Sequence, residues 1–144
     1  MNLKVGEIKM ELFQIEVKTT KREEIIDISD EIKNFVRDSK IVNGFCRVFI
    51  PHTTAGITIN ENADRNVKTD FLFILKKFIP QAKEYLHVEG NSDSHVKASL
   101  VGFSQTIIIQ NNKLLLGTWQ GLWFCEFDGP RTRSVIISLE NAAS

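Results

Sequence analysis

The three histidines of this 144-residue sequence are the residues best suited to chemistry, because imidazole titrates near neutral pH and binds metals. His87 and His95 enclose a polar loop that also holds Glu89 and Asp93. Two imidazoles and two carboxylates in so short a segment suit a divalent ion such as zinc. We predict that the loop folds back so that His87 and His95 share one ion, with His52 as the third ligand. The alternative is a polar surface loop in which Asp93 caps the helix that follows it.

A second candidate is the segment that runs from Pro51 to Asn62. In an extended chain, side chains alternate between two faces. One face would carry the hydrogen-bonding residues His52, Thr54, Thr58 and Asn60, and the other the apolar residues Ala55, Ile57 and Ile59. Solvated faces are usually richer in Lys and Glu, so the pattern favours a functional face over a solvated one.

The third candidate is the segment from Trp119 to Arg133. Trp119, Trp123, Cys125 and Phe127 share one parity and predict a core face, while Gln120, Glu126 and Asp128 share the other. The sequence Asp128-Gly129-Pro130-Arg131 predicts a turn, after which Arg131 and Arg133 point to the same side. Two guanidinium groups near a metal would bind a phosphate or carboxylate. The alternative is an ordinary surface hairpin.

Composition excludes several classes of protein. Eighteen basic and eighteen acidic residues give zero net charge, which offers no general attraction to nucleic acid or to anionic membranes. No stretch of about 18 apolar residues could span a bilayer, and residues 1–10 lack the apolar segment of a signal peptide. We therefore expect a cytoplasmic protein. Cys46 and Cys125 lie in apolar runs without a CxxC pair, so we predict buried free thiols.

The elements that must position these residues predict one α+β domain over residues 1–144, with a mostly antiparallel sheet. Hydrophobic periodicity predicts helices over residues 29–40, 64–79 and 94–101. Ser29 is the expected N-cap of the first, and the wide apolar stripe of the second predicts burial on more than one side. Strands are predicted over residues 8–19, 45–50, 56–60, 104–109, 113–116, 119–127 and 131–140.

Four of these segments resemble the YjbQ family, whose members are described as secondary thiamine-phosphate synthases. They are His-Thr-Thr-Ala-Gly-Ile-Thr-Ile-Asn-Glu-Asn (52–62), Gly-Asn-Ser-Asp-Ser-His-Val-Lys-Ala-Ser-Leu (90–100), Leu-Gly-Thr-Trp-Gln (116–120) and Glu-Phe-Asp-Gly-Pro-Arg-Thr-Arg (126–133). The resemblance implies a sandwich-like α+β fold with packed helices, a homotrimer and a polar pocket that carries a metal in some relatives. Where this chain has Asn112, relatives tend to have Gly, and Asn tolerates the same left-handed backbone.

The resemblance also implies roles for individual residues. His52, His87 and His95 would bind a divalent ion, zinc or magnesium. Substrate or phosphate would bind Thr53, Asn91, Lys97, Gln120 and Arg131. Catalytic groups that position substrate or move protons would be Asn60, Glu61, Glu126 and Asp128.

The implied activity is the joining of hydroxymethylpyrimidine diphosphate to thiazole phosphate, and so the leading hypothesis is a metal-dependent enzyme for a phosphorylated small molecule. Two alternatives stay open at this point. The same pocket could hydrolyse a phosphate ester or amide with metal assistance. The protein could instead be a non-catalytic trimer that binds a metal or a small anionic metabolite. Nucleic acid is not an expected partner.

Overall fold

A computed structural model describes residues 10–142 as a mixed α+β fold with three helices and antiparallel sheets. The strands are β1 (Met10–Lys18), β2 (Glu24–Asp27), β3 (Gly44–Phe49), β4 (Ala55–Glu61), β5 (Ser104–Gln110), β6 (Lys113–Leu114), β7 (Gln120–Glu126) and β8 (Thr132–Asn141). The helices are α1 (Ser29–Asp38), α2 (Arg65–Phe78) and α3 (Ser92–Val101). The predicted fold class, an antiparallel sandwich with packed helices, is confirmed.

The strands form two sheets that face each other across the main core. One sheet has the order β1-β8-β3-β5-β6 and the other the order β2-β7-β4. Side chains from the inner faces of both sheets and from α1 fill the space between them, among them Val48, Ile57, Phe124 and Ile137. Burial alternates along β3, β5 and β8 of the larger sheet, so that one face of each strand enters the core.

Strand β7 differs from the others because both of its faces are buried. Leu122 and Phe124 enter the main core. Trp123, Cys125 and Phe127 point to the opposite side and pack with residues of α2 and α3 in a second, smaller core. The predicted core parity is therefore correct for three of its four members. Trp119 lies before the strand and is 63% exposed, so the prediction for it was wrong.

Helix α1 buries Ile32 and Val36, which are one turn apart, against the main core. Full burial of each side chain contributes about 1.5–3 kcal/mol. The prediction that Ser29 is the N-cap of α1 is wrong. The carboxylate of Asp27 accepts hydrogen bonds from the Ser29 N–H at 2.9 Å and from its hydroxyl. The segment before it forms β2, which we did not predict because only Ile25 and Ile26 there are apolar.

Helix α2 carries the predicted apolar stripe, but no residue of this fully described helix is buried. Phe71 and Leu75 pack partly against the second core. Phe73 and Phe78 are 63% and 75% exposed. The expected burial on more than one side is thus wrong for the single chain.

Helix α3 begins two residues earlier than predicted, and its N-cap residue is Asn91. The Asp93 carboxylate does not cap it. Instead it accepts hydrogen bonds from Arg22 and Lys97, as described below.

The turn between β5 and β6 has both central residues in the left-handed region, with φ of 53° at Asn111 and 60° at Asn112. The prediction that Asn112 tolerates this backbone is confirmed. Its side-chain amide donates to the carbonyls of Val36 and Ile41 at 2.8 Å, so it also ties the end of α1 to the sheet. Within residues 10–142, no helix combines the length and apolarity needed to cross a membrane.

Candidate functional site

A polar cleft of about 320 Å³ opens where three distant segments of the chain meet. They are the loop before β4, the loop that leads into α3, and the turn between β7 and β8. The lining side chains are Pro51, His52, Thr53, Thr54, Glu89, Asn91, His95, Asp128, Arg131 and Arg133. The structure therefore brings together six of the twelve predicted site residues, namely His52, Thr53, Asn91, His95, Asp128 and Arg131.

A buried ion pair between Arg133 and Glu126 lies under this cleft. Arg133 Nε donates to Glu126 Oε2 at 2.7 Å, and Nη2 donates to Oε1 and to the hydroxyl of Thr54. The Arg133 side chain is 5% exposed and that of Glu126 is fully buried. A side-on, two-point pair of this kind fixes the orientation of the guanidinium group.

Glu126 has further partners that complete its hydrogen bonding. Oε2 accepts from the hydroxyl of Thr19 at 3.1 Å, and Oε1 accepts from the backbone N–H of Asp128 at 2.9 Å. The predicted role of Glu126 as a group that moves protons at the substrate does not agree with this position. Because it lies beneath the cleft and is not one of the residues that line it, it can act only through its neighbours.

The rim of the cleft is formed by Arg131 and Asp128. Arg131 Nη2 donates to Asp128 Oδ2 at 2.8 Å, and Nε donates to the Asp128 carbonyl at the same distance. The Asn91 amide donates to the same carboxylate oxygen at 2.7 Å. Since a carboxylate accepts hydrogen bonds, this contact sets the orientation of the Asn91 amide. Asn91 Oδ1 is buried and has no partner among the residues that the structure describes.

His52 lines the cleft with its ring held from behind. Its Nε2 accepts a hydrogen bond from the backbone N–H of Ser134 at 2.9 Å. Burial and the positive charge of Arg133 lower the pKa of His52, and the negative charge of Glu126 partly opposes them. The neutral ring therefore carries its proton on Nδ1 and offers a donor. A metal ligand must present a lone pair, so His52 could bind an ion only after its bond to Ser134 changed.

The other two histidines are neighbours, as predicted. The rings of His87 and His95 lie edge to face with 5.2 Å between centroids, and His87 Nε2 is 3.9 Å from the Glu89 carboxylate. His95 lines the cleft, whereas His87 is not among the lining residues. Across the described residues 10–142, no three His, Cys, Asp or Glu side chains are placed to hold one ion. The residue types found here are ones that bind metal ions, but too few of them lie close enough together to hold one ion.

Lys97 lies outside the cleft, contrary to its predicted role there. Its side chain is 1% exposed, and Nζ donates to Glu23 and to Asp93 Oδ2. Arg22 completes this network through two hydrogen bonds to Asp93, at 3.0 and 3.1 Å. These four residues line a separate cavity of about 230 Å³. We predicted that Lys97 binds phosphate. The prediction could not take the burial of Lys97 into account, because a sequence does not show which face of α3 is buried.

Three other predicted residues lie at the far end of the β4–β7 pair. Ala55 is paired with Glu126 near the cleft, and Glu61 with Gln120 at the opposite end. At roughly 3.3 Å per residue, the six steps of β4 separate these ends by about 20 Å. Asn60, Glu61 and Gln120 therefore do not reach the cleft of their own chain. Polar residues do alternate along β4, but the strand runs away from the cleft, so the polar residues at its far end do not reach the cleft.

Four lining residues were absent from the predicted site, namely Pro51, Thr54, Glu89 and Arg133. The sequence did indicate that Arg133 leaves the turn on the same side as Arg131, and both line the cleft. A further signal was available, because Arg133 is in phase with the buried residues Val135, Ile137 and Leu139. A charged side chain on a buried face requires a buried partner, and Glu126 is that partner.

The two cysteines are free and buried, as predicted. Burial raises the pKa of both the Cys46 and the Cys125 thiol to about 12. A thiol of that pKa carries almost no thiolate at neutral pH, so neither residue is a candidate nucleophile.

Residues 13–142 match the protein-family model described as "UPF0047 protein YjbQ-like". The chain is 54% identical over 132 residues to a UPF0047 protein of Methanocaldococcus jannaschii, with 92% of this chain and 95% of the relative covered. It is 51% identical over 126 residues to the UPF0047 protein YugU of Bacillus subtilis, covering 87% of this chain and 96% of that protein.

Solved structures agree with the sequence relatives. A YjbQ/UPF0047-family protein of Clostridium acetobutylicum superposes with a TM-score of 0.86 at 53% identity, covering 88% of this chain and 98% of that one. A YbjQ-like protein of Sulfolobus solfataricus, described as of unknown function, superposes with a TM-score of 0.90 at 31% identity, covering 94% and 100%. These names state no activity, so function must be argued from the cleft.

Proposed function

This chain belongs to the YjbQ-like UPF0047 protein family, and we propose that its cleft binds a phosphorylated small molecule and acts on it as an enzyme. The observation that carries the proposal is the convergence of Arg131, Arg133, His52 and Thr53 in one cleft built from three segments. Hydrogen-bond donors and fixed positive charge, gathered in a concave site, suit phosphate oxygens. A volume of about 320 Å³ suits a small molecule.

The cleft also holds acceptors, since the carboxylates of Glu89 and Asp128 and the ring of His95 line it. A ligand that combines a phosphate with N–H or O–H groups would match both the donors and the acceptors. Phosphorylated heterocycles with amino or hydroxyl substituents have this combination.

As the specific reaction we propose the joining of hydroxymethylpyrimidine diphosphate to thiazole phosphate. In this reaction the C–O bond to the diphosphate breaks and pyrophosphate leaves with the electron pair. The ring nitrogen of the thiazole then forms the new C–N bond with its lone pair. Arg131 and Arg133 would stabilise the charge that develops on the leaving group, and Asp128 would orient the pyrimidine.

Purified protein incubated with both precursors tests this proposal, with thiamine phosphate and pyrophosphate quantified by mass spectrometry. We expect Arg131→Gln to lower the rate and Arg37→Gln to leave it unchanged. Arg37 is a matched control because it is also an exposed arginine paired with one carboxylate, that of Asp38. Diphosphate hydrolysis without coupling would favour a hydrolase instead. A precursor that raises the melting temperature without being consumed would favour a binding protein.

We also propose that a divalent ion, zinc or magnesium, binds beside His87 and His95. Their adjacent rings supply two ligands, and Glu89 lies close to His87. Further ligands would come from water, from substrate or from a neighbouring subunit. Elemental analysis of the protein beside a His95→Ala variant tests this. We expect about one ion per subunit in the first and none in the second, and equal metal content in both would contradict the proposal.

We further propose that the protein assembles as a homotrimer. Two separate apolar surfaces support this. One is the outer face of the larger sheet, where Leu12, Phe45 and Phe49 are exposed, and the other is on α2, where Phe73, Ile74 and Phe78 are exposed. A closed ring needs two different surfaces that meet head to tail.

Native mass spectrometry tests the assembly. We expect Phe45→Glu and Phe73→Glu each to yield monomers, because each substitution places a charge in one of the two surfaces. Lys113→Glu, on the exposed β5–β6 hairpin, is the control that should leave the trimer intact. A monomeric wild-type protein would overturn this proposal.

A further inference from the structure

We propose that Arg133, rather than the more exposed Arg131, is the principal residue that binds the phosphate, and that Glu126 is its positioning residue. This inference rests on the proposed function, because it assigns the anion subsite of the same cleft. The ligand group is a tetrahedral phosphate, free or at the end of a small molecule.

The hydrogen-bond inventory of Arg133 leaves one nitrogen for a ligand. A guanidinium group has five N–H donors, one on Nε and two on each terminal nitrogen. Nε uses its donor on Glu126, and Nη2 uses its two on Glu126 and Thr54. No residue from 10 to 142 accepts a hydrogen bond from Nη1. Nη1 is also absent from the buried atoms that lack a partner, so it has access to solvent.

Arg133 lines the cleft that holds His52 and Thr53, and we infer that its free N–H groups face that space. Its neighbour His52 carries its ring proton on Nδ1, because Nε2 accepts from Ser134. The ring therefore adds a donor next to Arg133 rather than a competing acceptor. A phosphate oxygen at this end would meet donors from two held side chains.

Arg131 is less suited to bind the anion. Its side chain is 52% exposed, and both its Nε and its Nη2 are directed to Asp128. Solvent screens an exposed charge, and long exposed side chains lose conformational entropy when they are fixed. Arg133 loses no further side-chain entropy when it binds a ligand, since Glu126 and Thr54 already hold it in place.

The Glu126 carboxylate lowers the net charge at Arg133, and its position decides in which direction the remaining positive charge is presented. Glu126 is bound along the Nε–Nη2 edge, so the positive end of the pair points away from it, towards Nη1. Glu126 itself is anchored by Thr19 and by the backbone of Asp128. Its function in this arrangement is to fix the direction in which Arg133 donates.

The test is the dissociation constant of inorganic phosphate, measured by calorimetry on the full-length protein. Arg133→Lys removes a charge-assisted hydrogen bond and should therefore weaken phosphate binding roughly tenfold or more. Arg131→Gln should weaken it less than Arg133→Lys does, and Arg37→Gln, in an exposed surface pair, should stay within about threefold of wild type. The double variant Glu126→Gln/Arg133→Gln removes the pair without leaving an unpaired buried charge, and we expect it to lose binding.

A measurement on the wild-type protein is independent of how well these variants fold. Phosphate should shift the side-chain nitrogen resonances of Arg133 more than those of Arg131. If Arg131→Gln loses binding tenfold while Arg133→Lys retains it, or if only the Arg131 resonances move, the inference is overturned and the proposed function stands. If wild-type protein binds no phosphate at millimolar concentration, the inference fails together with the proposed function.

Discussion

The imidazole of His52 is held by the backbone of Ser134, whose N–H donates to Nε2 at 2.9 Å. This contact fixes which ring nitrogen carries the proton. We predict that His52 is the neutral Nδ1–H tautomer at pH 7, with a pKa below its usual value because of burial and the charge of Arg133. Nitrogen NMR correlations of the imidazole rings measure both properties. A signal for His52 typical of the Nε2–H tautomer would contradict the geometry.

Gly129 lies where the turn of the cleft passes close to the N-terminal half of the chain. A Cβ atom at this position would lie 2.2 Å from the Lys21 carbonyl oxygen and 2.7 Å from the Thr19 hydroxyl. We predict that Gly129→Ala lowers the free energy of unfolding by about 1–3 kcal/mol, because backbone must move to admit the methyl group.

Urea denaturation measures this effect, and Gly117→Ala is its control. A Cβ atom at Gly117 would come no closer than 3.2 Å to the flexible side chain of Gln120. That substitution should change stability by less than about 0.5 kcal/mol. Equal losses in the two variants would show that the contact at Gly129 is not the cause.

Asp93 links acid stability to the buried charge network. Burial alone would raise its pKa, but hydrogen bonds from Arg22 and Lys97 outweigh burial and hold the pKa below the usual value of 3.8. The network therefore stabilises the fold above the unfolded-state pKa, and this contribution is lost as the pH falls through the lower, folded-state pKa.

We predict that Asp93→Asn destabilises the protein at pH 7 by about 3–5 kcal/mol, because it removes one partner from a buried charge network. It should also flatten the acid limb of the stability curve. Asp38→Asn is the matched control, since Asp38 pairs with Arg37 at the surface. Its effect should be below about 1 kcal/mol. Unfolding free energies measured from pH 2 to 7 would contradict this if both variants keep the wild-type slope.

The cysteines give a prediction about accessibility. Because burial raises the pKa of Cys46 and Cys125 to about 12, we expect both to react with a disulfide reagent only on unfolding. The rate in native buffer should fall far below the rate in guanidinium chloride. A Lys113→Cys variant, with an exposed thiol, provides the control. Rapid reaction of the unmodified native protein would mean that one of the thiols is reached by solvent.

The spacing of apolar residues predicted most of the helices and strands, because it reflects which residues of one element share a face. Strand β8 is rich in β-branched residues, with Val135, Ile137 and Leu139 at alternate positions, and α1 repeats apolar residues at helical spacing, so both were assigned close to their observed bounds. Strand β2 was missed because its four residues receive their structure from pairing with β7, which no local pattern reports. The exposure of Phe73 was also unpredictable, because a sequence does not show whether an apolar face meets its own chain or another copy.

The candidate site was predictable where a motif stays in one loop or turn. Asp128 and Arg131 share a turn, and Asn91 and His95 share the start of α3, so these residues reach the cleft together. Predictions failed where a motif extends along a strand, as for Glu61, or around a helix, as for Lys97. Glu126 contacts the lining residue Arg133, but it is fully buried, and burial changes what a carboxylate can do there.

Strand β7 is enclosed on both faces by the two cores and ends at Glu126. Amide protons in such a strand exchange with solvent only when the whole domain opens. The group that orients Arg133 therefore has no local unfolding route separate from that of the domain. Phosphate bound at Arg133 would then protect the entire chain against heat and proteases, far beyond the few residues it touches.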